Sequence, residues 1–183
     1  MATNASYVTT GKPKVGGAVF VGATTVTLPT DTTTALTDFN DLGYCSEDGL
    51  VNANSPETDS IHAWGGDTVL DVQTEKADTF TFTLIEAMNV NVLKTVYGDD
   101  NVTGTLTTGI HVKATAEEPE LHAYVIDMVL NGDVAKRVVI PSAKITEIGD
   151  IEYTDGDAVG YEVTISAYPD STGVTHHEYI LQS

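Results

Sequence analysis

The chain has 183 residues and 41% apolar content, long enough for one domain with a real core and short for two. Twenty-seven acidic residues face eight basic ones, a formal net charge of −19, which argues against any protein that grips a nucleic-acid backbone with clustered Lys and Arg. No apolar run approaches the ~18 residues of a membrane-spanning helix, and the lone cysteine, Cys45, leaves no internal disulfide or Cys-based zinc cluster.

The opening MATNASYVTTGKPKVGG lacks the basic-then-apolar order of a secretory signal, so folding in a cytoplasm is expected. Residues 1–14 read as an N-terminal arm before a first strand over Val15–Val21. Thr30–Asp41 and Asn52–Asp67 are polar and rich in turn residues, and Leu42–Val51 between them has no clean periodicity. Together they predict a long inter-strand loop over about 37–67, a length uncommon in a compact domain unless it has a task. Trp64, the only tryptophan, stands in that loop beside Gly65 and Gly66 and reads as a contact surface, the alternative being a ring tucked against its own sheet. Strands follow at Thr68–Glu75 and Thr79–Leu84; in the second, Phe80, Phe82 and Leu84 share one face and three threonines the other. Glu86–Tyr97 carries Met88, Val92 and Val96 at near-helical spacing and stops at Gly98, which predicts the single helix, packed on Phe80, Phe82 and Leu84. Further strands are read at Thr105–Thr115, Leu121–Leu130, Val134–Ile140, Ala143–Tyr153 and Tyr161–Ala167. Asn131-Gly132-Asp133 and Tyr153–Ala158 have the chemistry of hairpin tips. The sum is one mainly β domain: an antiparallel two-sheet β-sandwich or barrel with one flanking α-helix and a long loop.

Catalytic or metal-binding patterns are not found in the sequence. The histidines are His62, His111, His122, His176 and His177, and none has the H-x₃₋₅-H or HExxH spacing of a zinc site. His176 and His177 are adjacent, as are His177 and Glu178, so on a strand neighbours point to opposite faces and cannot chelate one ion. There is no G-x-S-x-G elbow and no protease signature around Cys45; GKPKVGG forms neither a phosphate-binding loop nor a dinucleotide fingerprint. YGDDN and YTDGD miss the EF-hand spacing. The expectation is no enzyme, no cofactor and no metal, with THHEY read as sheet.

Four segments carry a family resemblance in order. GKPKVGGAVFVGATTVTLPTD, then LTDFNDLGYCSEDGLV with HAWGGDTV, then TFTFTLIEAMNVNVLKTVYGDDNV, and finally YEVTISAYPDSTGVTHHEYI resemble the major tail proteins of long non-contractile-tailed phages infecting Gram-positive bacteria. The resemblance implies a structural virion protein, assembled in the host cytoplasm, whose subunits form rings, usually hexameric, that stack into a tube. It further implies a tape-measure protein in the lumen, tail terminator and distal tail proteins at the ends, and DNA passing through without specific binding. In that setting the long loop would stack rings, with Leu42, Tyr44 and Trp64 as candidate contacts. Glu147, Asp150 and Glu162 are candidate lumen carboxylates, because an acidic wall within a ~8 Å Debye length repels DNA in transit. Two other readings remain open: the tube of a contractile injection machine, and a virion-surface or capsid-decorating β-sandwich that acts as a binding module.

Overall fold

The structure is a computed structural model that describes residues 3–182. Its strands are β1 (Gly11–Pro13), β2 (Val19–Ala23), β3 (Asn40–Asp41), β4 (Cys45–His62), β5 (Thr68–Leu84), β6 (Val102–Thr103) and β7 (His111–Val112). The later ones are β8 (His122–Leu130), β9 (Val134–Ile148), β10 (Tyr161–Ala167) and β11 (His177–Gln182), and one helix, α1 (Val90–Tyr97), lies between β5 and β6.

All pairings are antiparallel. The main hydrogen-bonded order is β3-β2-β8-β9-β10-β5-β4, with β1 continuing beside β8 and β11 beside β9. β9 organises it. Its first part, Val134–Ile140, runs between β8 and β11, and its second, Ala143–Ile148, pairs with β10. Pro141, which has no N–H to offer the ladder, lies where the β8 register slips. The sheet folds on itself around this strand: Val19 on β2 and Phe82 on β5 are separated by three intervening strands yet line the same cavity. The result is a β-sandwich.

Alternation decides what each wing buries. Phe80, Phe82 and Leu84 of β5 and Tyr161, Val163 and Ile165 of β10 meet Val19, Val21, Tyr124, Ile126, Val138 and Ile140 in one core cluster. α1 adds Val92, Leu93 and Val96 to it. The helix is shorter than the sequence pattern suggests, because Asn89 caps it by accepting from the Asn91 N–H at 3.0 Å. Met88 precedes that cap and is exposed, so it contributes nothing to the core.

β8 and β9 are buried on both faces. On the side away from the main core, Asp127 and Arg137 face each other across the strands, buried, with Nε–Oδ1 at 2.6 Å and Nη2–Oδ2 at 2.7 Å. The remaining guanidinium nitrogen donates to the Asp31 carbonyl (3.1 Å) and the Thr34 carbonyl (2.8 Å), pinning the 31–34 turn to β9. That turn is self-capped: the Asp31 carboxylate accepts from the Thr34 and Thr33 N–H groups and from both hydroxyls, which holds its pKa well below the usual range.

Several further sequence readings change; Thr68–Glu75 and Thr79–Leu84, for example, are one strand, β5. The strand expected at Val15–Val21 is β2 and starts at Val19, and the 1–14 arm before it contains β1. Val134–Ile140 and Ala143–Tyr153 are one strand that ends at Ile148. Only His111 and Val112 of Thr105–Thr115 are strand; the Thr108 N–H donates to the Thr105 carbonyl, and Gly104 (φ 87°) packs so tightly on the Gly109 carbonyl that a Cβ would collide with it. The largest change concerns the expected 37–67 loop. Residues 45–62 are the strand β4, paired along nearly its whole length with β5.

Candidate assembly surfaces

The β4–β5 hairpin begins inside the sandwich, where Leu50 stands opposite Phe82 and Asn52 opposite Phe80. Beyond that root, residues 51–77 are all exposed. From Asn54 to His62 the free ribbon extends roughly 30 Å at ~3.3 Å per residue. Register shifts at Glu57/Thr58 and at Ile61/His62 keep its two faces chemically distinct. One face is polar: Ser60 donates to Asp71 at 2.6 Å, and the Thr68 hydroxyl lies 3.2 Å from His62 Nδ1. The other carries Ile61 opposite Leu70, with Val72 one pair further in, all about half exposed. An isolated two-stranded ribbon is marginal in water, and an uncovered apolar face adds to that deficit.

The tip is a closed turn. The Ala63 N–H donates to the Asp67 carbonyl (2.7 Å) and the Gly66 N–H to the Ala63 carbonyl (3.0 Å). Gly65 and Gly66 take positive φ, which lets the chain reverse within four residues. Trp64 projects from this turn, fully exposed.

The root is clamped by a polar node that no sequence pattern announces. The buried Asp78 carboxylate accepts from Asn52 Nδ2 (2.8 Å), the Thr175 hydroxyl (2.5 Å) and His176 Nδ1 (2.6 Å). Burial disfavours its charge, but the bonds from Thr175, Asn52 and His176 outweigh that penalty and hold its pKa below the ordinary value. His176 also meets the Phe80 ring edge-on at 5.3 Å. These partners lie up to 98 positions from Asp78, and no local pattern marks them.

THHEY is a strand start. His177 pairs with Val139 in β11 and stacks on Tyr179, while His176 turns inward to Asp78, so the two imidazoles do not converge. Among the described residues no group of three His, Cys, Asp or Glu side chains is placed to hold a metal ion.

The candidate contacts separate. Trp64 is at the tip and Tyr44, exposed, precedes the root, so the length of β4 lies between them. Leu42 is fully buried in the subunit core and donates its N–H to the Val19 carbonyl at 3.0 Å; its side chain is not available to a neighbour, which removes it from the contact set. The three candidate lumen carboxylates stay together. Glu147 stands opposite Thr164, placing it on the same face as Glu162, and Asp150 follows just past the end of β9. The Gly149 N–H donates to the Glu162 carbonyl at 2.8 Å and joins these segments. The rest of this face is hydroxyl-rich, with Thr81 bonded to Thr164 (2.9 Å) and Thr146 to Ser166 (3.0 Å).

A family model described as phage tail tube protein matches residues 1–182. The chain belongs to the phage tail tube protein family. A search of curated proteins gave no match. As a tail tube protein the chain is a structural component of the virion tail and self-assembles into a tube. No helix among the described residues is long and apolar enough to cross a membrane. The family is a structural one, and the geometry suits it: a rigid sandwich that carries one long, incompletely covered ribbon.

Proposed function

We propose that the subunits form rings, six to a ring, that the rings stack around a tape-measure protein, and that the β4–β5 hairpin joins one subunit to the next. Tail terminator and distal tail proteins close the two ends, and DNA leaves through the lumen. The observation that carries this reading is the ribbon itself. It extends roughly 30 Å from the core with Ile61, Leu70 and Val72 uncovered, and in a tube-forming family the surface that completes it is a second subunit. The Thr81/Thr164/Glu162/Glu147 face lines the lumen in this reading, since its hydroxyls and carboxylates offer DNA phosphates no cation and its one lysine, Lys144 opposite Ser166, is already bound to Glu118.

Negative-stain microscopy of concentrated protein tests it. Wild-type protein is expected to give rings or tubes. A variant with residues 56–76 replaced by a two-residue turn is expected to fold, because every residue removed is exposed, and to lose ring-to-ring growth. Dispersed monomers from the wild type at every concentration, or normal tubes from the shortened variant, defeat the reading.

A further inference from the structure

At the root of the hairpin the two wings of the sandwich part and leave a cavity of about 480 Å³ between β1, β8 and β9 on one side and β4 and β5 on the other. That is within the ~300–1,000 Å³ of pockets that accept small aromatic molecules. Its floor is apolar, with Ala18, Leu50, Met128 and Val138 and with Phe80 and Phe82 behind them, and its rim is polar. We infer that this cavity receives the Trp64 tip of a second copy of the chain, an inference that rests on the hairpin joining subunits as proposed above.

Two observations select that occupant. The first is reach. The tip of the same chain stands roughly 30 Å from its own root along a paired ribbon, so it cannot fold back into the cavity. A tip-to-root contact therefore links different copies. Because the two surfaces differ, it leaves a free tip at one end and a free cavity at the other, and it propagates. The second is charge. Between residues 51 and 77 the hairpin carries Glu57, Asp59, Asp67, Asp71 and Glu75 against Lys76 alone. Copies of a chain with net charge −19 repel nearly everywhere. The charged residues along the cavity are Glu47, Asp48, Asp127 and Glu178 with Lys12 and Lys136, and the Asp127 carboxylate is turned to the other side of the sheet, where Arg137 and Lys14 meet it. Lys136 is bound to Glu178 at 2.8 Å and Arg137 to Asp127 at 2.6 Å, while Lys12 makes no ion pair among the described residues and is free to meet an incoming carboxylate. What the acidic ribbon meets here is one unpaired lysine, Lys12, on the rim.

Trp64 is presented for such a contact. The turn fixes its backbone, so little conformational freedom remains to be lost, and tryptophan is among the residues enriched as interface anchors.

The chain supplies its own probes, because Trp64 is its only tryptophan and Cys45, its only cysteine, lines the cavity. Acrylamide quenching of Trp64 is measured in dissociated subunits and in wild-type tubes, and an Ala63→Cys variant is treated with a short bis-maleimide after assembly. The expected result is loss of quenching on assembly, together with an inter-subunit cross-link that disappears when Cys45→Ser is added. Trp64→Ala should raise the protein concentration needed for tube growth by roughly 30-fold or more, as truncation of an aromatic anchor does. Burial and the nearby carboxylates of Asp41 and Glu86 push the Cys45 thiol up to about 11, so labelling of dissociated subunits with a monofunctional maleimide is run alongside to verify its reactivity. Tubes in which Trp64 stays fully quenchable overturn the inference, as do tubes that shield Trp64 but give no cross-link although both thiols label; the tube reading survives either result. Wild-type protein that never assembles overturns that reading and this inference with it.

Discussion

Arg137→Met is the most informative single substitution for the stability of the subunit. It removes both guanidinium bonds to Asp127, at 2.6 and 2.7 Å, and leaves that carboxylate 4% exposed without its partner. Lys14 is a poor replacement: its ammonium lies 3.6 Å away on a side chain half in solvent. The carbonyls of Asp31 and Thr34 lose their donor at the same time. Breaking a buried pair from one side costs about 3–5 kcal/mol. For a chain of this length each kcal/mol moves the melting midpoint by ~2–4 °C, so a fall of roughly 6–20 °C is expected. The double variant Asp127→Leu/Arg137→Met leaves no uncompensated charge and should recover much of the loss, though not all, because the 31–34 turn stays unpinned. Urea and thermal unfolding of the four proteins in the cycle give the answer. A single variant within ~1 kcal/mol of wild type, or a double variant as damaged as Arg137→Met, would show that the pair is not the electrostatic anchor described here.

Three further outcomes are expected. Phe82→Ala should cost about 3–5 kcal/mol in the same melts, since its ring is 2% exposed between the wings; an unchanged midpoint would contradict its place in the core. The depressed pKa of Asp78 stabilises the fold above the ordinary carboxylate value of 3.8, and that contribution is lost as pH falls through the lowered one. The wild-type urea midpoint should therefore drop more steeply with acid than that of Asp78→Asn, and parallel profiles would count against the node. Glu162→Lys places a cation on the Thr/Glu face of every subunit, so virions carrying it should release DNA more slowly at low salt and recover at 1 M, where screening reaches ~3 Å; wild-type release rates at low salt would remove that face from the lumen.

The parts of the fold legible in the sequence are those where burial is one-sided. Thr79–Leu84 and Tyr161–Ala167 alternate cleanly because one face meets the core and the other meets water, and the structure pairs them residue for residue. α1 was legible from Val92, Val96 and Gly98, although its start was not, since Asn89 caps a helix that the apolar spacing alone would extend backward. β4 was hidden for the opposite reason. Most of it has solvent on both sides, so selection for core contacts leaves no period-two trace, and Gly49 and Pro56 read as breakers. Its strand character comes from pairing with β5, a partner joined to it by a tight turn at Trp64. Thr105–Thr115 shows the reverse error, an alternating sequence held in a turn by the close approach of Gly104 and Gly109. Among the candidate contacts, exposure was legible for Trp64 but not the burial of Leu42, whose neighbours in sequence are polar while its neighbours in space are core.

β9 has one more consequence. Many sandwiches hold their sheets together only by side chains, so one leaf can peel from the other like a book from its cover. Here a single strand is stitched into both leaves: Val134–Ile140 lies between β8 and β11, and Ala143–Ile148 is bonded to β10. Opening the leaves means tearing a backbone ladder as well as parting a core. The body of the subunit should therefore melt in one all-or-none step. The protruding hairpin is free to fray independently, and a neighbouring subunit can stiffen it without disturbing the rest.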